Sequence, residues 1–171
     1  MTKPARRAAG GRPPAPSHRL RLVVQYASGD ADLPARAQIR RWVAAALAGD
    51  ATLTVRLVDE DEARRLNHEF RGKDRATNVL TFVYSAPGAM PAEGDLLLCA
   101  PLVRAEALAQ GKPLRHHYAH LLVHGVLHLQ GHDHEEDASA AMMESLERAI
   151  LERMRIPDPY ADRGQAAPEQ G

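Results

Sequence analysis

The segment HGVLHLQGHDH holds four of the chain's nine histidines at spacings that suit metal binding. His124 and His128 stand four residues apart, and His120 extends the same stripe one turn earlier. On a helix this spacing puts two rings about 6 Å apart along the axis, at ~1.5 Å per residue, so that two nitrogens can converge on one cation. A single histidine in such an apolar stretch would more often be a hydrogen-bonded core residue, because a buried imidazole costs free energy unless it is bonded or ligating. Gly131 lets the chain leave the helix through a left-handed turn and bring a further ligand back toward the first two. The candidates for that ligand are His132, Asp133 and His134.

Spacing selects His134. Histidines at offsets zero, four and ten, with glycine at seven, match the layout HExxHxxGxxH of the metzincin zinc peptidases. In those enzymes the residue after the first histidine is the glutamate that serves as general base, and here that position is Gly125. The metal frame is therefore expected without the peptidase chemistry. Three neutral imidazoles on a divalent ion, with zinc the first choice, leave an open coordination position, as catalytic sites require and closed structural sites do not.

A helix over Pro113 to Gln130 must carry the first two histidines, and it is apolar nearly all round through Leu114, Tyr118, Leu121, Leu122, Val123, Val126, Leu127 and Leu129. Such a helix belongs in a core. Upstream, Leu20 to Tyr26 reads as a strand, and Leu33 to Ala48 as a helix with Pro34 in its first turn and Ile39, Trp42, Val43 and Ala46 inward. Thr52 to Val58 alternates as a half-buried strand with Leu53, Val55 and Leu57 inward, followed by a short helix with Ala63, Leu66 and Phe70 on one face. Asn78 to Tyr84 and Asp95 to Ala100 are expected as antiparallel strands around the loop SAPGAMPAE. Helices follow over Pro101 to Gln110 and Asp137 to Met154, the latter burying Met142, Leu146, Ala149 and Ile150. This order predicts an α/β (α+β) fold: one compact domain, a small mixed four-stranded sheet with packed helices, and the metal site at the end of the core helix.

The whole-chain numbers agree with one soluble domain. With 171 residues, 44% hydrophobic and 26% charged, the chain is long enough for a core and too apolar to be disordered throughout. Lys plus Arg and Asp plus Glu both number 22, so any polyanion must be met by a local patch rather than by net charge. Cys99 is the only cysteine and sits in an apolar run, which reads as a buried, unreactive thiol in a reducing compartment. Residues 1–18 are expected to be a disordered basic Pro/Ala-rich tail, 19–160 the folded domain and 161–171 a second disordered tail. The start of the chain lacks the apolar stretch of an export signal, and no run approaches the ~18 to 20 apolar residues of a membrane span, so a cytoplasmic location is expected.

Arg64, Arg65, Arg71, Lys73 and Arg75 gather positive charge within twelve positions. Without a metal nearby this would read as a solvated helix end. Beside one, Arg71 could clamp a phosphate bidentately and offset transition-state charge. Aromatic residues are only 4%, which argues against an open base-stacking platform. Thr77 and Asn78 are expected to stabilise a turn.

The segment HGVLHLQGHDH also resembles the signature HGxLHLxGYDH of the YbeY family of bacterial endoribonucleases, ribosomal RNA maturation factors. FRGKDRATNVLTF from Phe70 to Phe82 is similar to that family's YRGKDxxTNVLSF, EGDLLLC from Glu93 to Cys99 falls where the family has a GD-containing strand, and IPDPY matches its usual close. The resemblance spans about residues 20 to 160, with His132 where tyrosine is common. It implies zinc ligands at His124, His128 and His134, a catalytic and substrate-binding Arg71, and Lys73 as a further substrate contact. It also implies cleavage of single-stranded RNA in maturation of the 3′ end of small-subunit ribosomal RNA and in ribosome quality control, with the small ribosomal subunit or its proteins as partners. The competing readings are a ribosome-assembly factor that binds RNA or ribosomal proteins around a structural zinc, and a hydrolase of other phosphodiesters on the same frame.

Overall fold

The computed structural model describes residues 18–161. The two expected tails fall outside them except for His18 and Ala161. The elements in chain order are β1 (Leu20–Ala27), α1 (Arg36–Ala45), β2 (Ala51–Val58), α2 (Glu60–Arg71), β3 (Val79–Val83), β4 (Ala92–Cys99), α3 (Ala100–Gln110), α4 (Leu114–Leu129) and α5 (Asp137–Arg153). One mixed sheet of order β1-β2-β4-β3 forms: β1 runs parallel to β2, β2 parallel to β4, and β3 antiparallel to β4. This is the expected α/β architecture, with the hairpin where the Pro/Gly-rich loop placed it.

Why β4 is central follows from its residues. Leu96, Leu97, Leu98 and Cys99 are all buried, which requires cover on both faces. Leu96 and Leu98 join the main core with Ile39, Trp42 and Val43 of α1 and Leu122, Val126 and Leu129 of α4. Leu97 and Cys99 join a smaller cluster with Val58, Ala63 and Leu80, packed by Leu66 of α2 and Leu102 of α3. Burial pushes the Cys99 thiol pKa up, which keeps it protonated and unreactive as expected. No helix among the described residues is long and apolar enough to cross a membrane.

Four expectations need correction. The first helix starts at Arg36 with Ala35 as its cap, so Pro34 lies before the first turn, and it ends at Ala45. The fourth strand begins at Ala92, three residues early, because Ala92 pairs with Ala51 at the edge of the parallel ladder; Ala100 opens α3 instead of closing the strand. Phe70 is 58% exposed, and the buried residues of α2 are Ala63 and Asn67. On α5 the buried residues are Met143, Glu147, Ile150 and Leu151, with Leu146 partly buried, while Met142 is 62% exposed and Ala149 lies outside the core. The helix is turned by about one position from the expected face, and Glu147 is the reason, as its partners show below.

Candidate metal centre

α4 holds its histidines rigidly because the helix is packed from nearly all sides, with ten of its sixteen residues buried. The approach to β4 is close: a Cβ at Gly125 would stand 2.6 Å from Leu96 Cδ2. Position 125 therefore faces the sheet, and a side chain there would have to displace Leu96. After Leu129 the chain closes with a paired hydrogen-bond arrangement, Gly131 N–H to His128 O at 3.0 Å and His132 N–H to Leu127 O at 3.1 Å. This six-to-one and five-to-two pattern requires a left-handed residue at its centre, and Gly131 has φ +100°.

The turn returns His134, and not His132, to the helix. Ring centroids of His124 and His128 are 5.2 Å apart, His124 and His134 5.6 Å, and His128 and His134 5.1 Å. His128 Nε2 lies 3.2 Å from His134 Nδ1, and one nitrogen from each of the three rings falls within 4.8 Å of the others. Zinc bonds imidazole nitrogens at about 2.0–2.1 Å, which needs nitrogens on the order of 3.5 Å apart, so the cluster can hold a metal ion with small ring adjustments. Burial, together with the neighbouring His124 and His134, pushes His128 down to about 4, so its ring is neutral with a lone pair available at neutral pH. His132 instead lines a separate depression with Leu47, Leu127 and Ile150.

His120, third of the helical stripe, is not in the cluster either. It belongs to a network that sequence reasoning missed. Glu147 of α5 is 0% exposed; its Oε1 lies 2.5 Å from His124 Nδ1, its Oε2 3.2 Å from His120 Nε2, and Tyr160 donates its hydroxyl to it. Desolvation works against its charge, but the hydrogen bonds from His120, His124 and Tyr160 outweigh it and hold the carboxyl well below its usual range, at about 2. A carboxylate at Nδ1 fixes the tautomer of His124 and leaves Nε2 as the ligating atom. The only sequence signal was a glutamate one turn from the expected apolar face, with a tyrosine at the chain's IPDPY close.

The three histidines line a groove of about 580 Å³ whose other lining residues include Arg71, Lys73, Arg75, Asn67 and Thr81. Arg71, at the end of α2, donates Nη2–H to Thr81 O at 2.8 Å, which ties it to the edge strand β3. Asn67, buried on α2, donates to Arg75 O at 2.8 Å and accepts from Lys73 N–H at 3.3 Å, pinning the basic turn against the helix. Of the five cations expected as a patch, three line the groove. Arg64 is instead paired with Asp74 at 2.8 Å, and Arg65 lies 3.9 Å from Glu62. Asn78 accepts from Val79 N–H at 2.7 Å and donates to Glu106 of α3 at 3.1 Å, so it ties the start of β3 to a helix and does more than stabilise a turn, whereas Thr77 lines the groove. Among the described residues, no carboxylate lines the groove.

Comparisons with known proteins place the chain in a family. The family model described as Endoribonuclease YbeY matches residues 29–155. A protein named Endoribonuclease YbeY from Thiobacillus denitrificans is 61% identical over 141 residues, covering 82% of this chain and 96% of that protein. One of the same name from Aromatoleum aromaticum is 57% identical over 148 residues, covering 85% of this chain and 95% of its own length. The solution structure of TM1509 from Thermotoga maritima shares the fold, with a TM-score of 0.53 at 24% identity over 89% of this chain and 99% of that one. With a family model over most of the domain and relatives above half identity along nearly their full length, the chain belongs to the YbeY endoribonuclease family.

Proposed function

We propose that this protein is a zinc-dependent endoribonuclease of the cytoplasm that cuts single-stranded RNA, acting on the 3′ end of small-subunit ribosomal RNA and in ribosome quality control. The observation that carries the reading is that a three-histidine cluster and three cations without a carboxylate partner among the described residues, Arg71, Lys73 and Arg75, line one open groove. Family membership supports RNA as the polymer; the small ribosomal subunit is the proposed partner.

His124, His128 and His134 would hold the ion. A divalent cation bound there supplies Lewis acidity toward a phosphoryl oxygen. Arg71 has one N–H committed to Thr81 O, which orients the guanidinium and leaves its remaining donors for a phosphate. Lys73 and Arg75 add charge along the backbone path. Glu147 is sealed from solvent by its three partners, so it orients His124 and does not take a proton from substrate. His134 is exposed toward the groove, which supports an accessible centre over a closed structural one.

Cleavage of a single-stranded oligoribonucleotide tests the reading. Wild type is expected to cut, Arg71→Ala to lose roughly 10²- to 10³-fold, as for loss of one charge-stabilising donor, and His128→Ala to lose activity entirely. Chelator should abolish wild-type cutting and added metal restore it. Equal cutting by all three proteins would sink the proposal.

A further inference from the structure

A second concavity, of about 310 Å³, lies at the opposite end of α4 from the histidine cluster and is lined by Gln38, Arg41, Trp42, Arg115, His116 and Arg155 among others. Its three guanidiniums come from three separate places: α1, the first turn of α4, and the segment just after α5. None of the three has a carboxylate partner among the described residues, whereas Arg56, Arg64, Arg104 and Arg148 each pair with one. Arg155 is held at φ +59°, a conformation that L side chains with a Cβ rarely adopt. Burial and the Arg115 charge push His116 below its ordinary range, so it adds a neutral donor to the pocket. The first turn of α4 carries no acidic residue that would oppose a bound anion.

We propose that this pocket is a second phosphate-binding subsite, which takes a backbone phosphate of single-stranded RNA away from the metal centre. Arg115 and His124 are nine residues apart, about 14 Å along the α4 axis at ~1.5 Å per residue and about half a turn round it, so a strand that engages both must pass round the helix and be several nucleotides longer than the axial rise alone requires. RNA as the occupant rests on the nuclease reading above; the chemistry of the pocket, three guanidiniums and an imidazole, rests only on the residues that line it. Guanidinium forks suit phosphate oxygens bidentately.

The chain has a single tryptophan, and Trp42 lines this pocket, so its emission reports occupancy directly. The test compares metal-loaded wild type with the triple variant Arg41→Gln/Arg115→Gln/Arg155→Gly. All three side chains are exposed and the glycine suits the left-handed position, so the variant is expected to melt like wild type. Inorganic pyrophosphate should change wild-type emission saturably and require at least about tenfold more ligand in the variant. A labelled oligouridylate of about twelve nucleotides should bind the variant with a log Kd against log salt slope smaller by ~0.7, since single strands give ~0.7 per phosphate contact and the pocket holds one backbone phosphate. Cleavage of a trinucleotide too short to span both sites should be unchanged.

An unaltered pyrophosphate midpoint in the variant would overturn the anion site, and an unaltered oligonucleotide slope beside a lost pyrophosphate response would overturn RNA as its occupant. If neither protein cuts any RNA, the nuclease reading fails, and the binding slope still decides the pocket by itself.

Discussion

The residue with the clearest consequence outside the histidines is Glu147, whose two oxygens serve His120, His124 and Tyr160 at once. Its neutral isostere keeps the volume and loses the charge that holds the His124 tautomer. Glu147→Gln is expected to weaken metal affinity about 10- to 100-fold, read by competition with a chromophoric chelator. An unchanged affinity would make the network purely structural. Tyr160→Phe removes one of three hydrogen bonds and should shift the same affinity less. The histidines themselves were legible because their chemistry lies in one continuous segment with a helical period. Glu147 was not, since a glutamate is read as solvated unless its partners are known, and those partners lie 13 to 27 positions away.

Among elements, α4 and the turn after it do most to shape the centre. Gly131→Ala places a Cβ at φ +100°, where backbone strain on the order of 1–3 kcal/mol is expected, and the added Cβ meets Pro87 Cβ at 3.3 Å. Urea unfolding should show that loss, and metal affinity should fall with it because His134 is displaced. On α5 the one-position rotation gives a paired prediction: Met143→Ala should cost about 2–5 kcal/mol and Met142→Ala no more than about 0.5, measured by denaturant midpoint. Equal effects would restore the face expected from sequence. Strands and helices were readable where a single period ran uninterrupted, as in β2 and α4. They were misread where a tertiary partner overrode the local pattern. Ala92 and Glu93 read as loop yet pair along β2, and α5 turns to deliver a carboxylate to α4. Phe70 stays outside because its edge-on contact is with Phe82, 5.3 Å away between centroids, and not with the core.

The whole molecule is electrically neutral yet divides its cations between a groove at one end of α4 and a pocket at the other, while most remaining arginines of the folded part are neutralised in place or bonded to carbonyls. RNA affinity should therefore fall steeply with salt despite zero net charge, and Lys73→Gln should lower the salt slope by ~0.7 for the single contact it removes. A slope near zero would mean that these cations do not meet phosphate. Three imidazoles sharing one ion are the feature on which the proposed activity depends, and the most direct measurement is the metal content per chain of protein purified without chelator. Wild type and His132→Ala are predicted to carry one ion per chain, and His134→Ala to carry almost none. Full metal in His134→Ala, or its loss in His132→Ala, would contradict the cluster on which the rest is built.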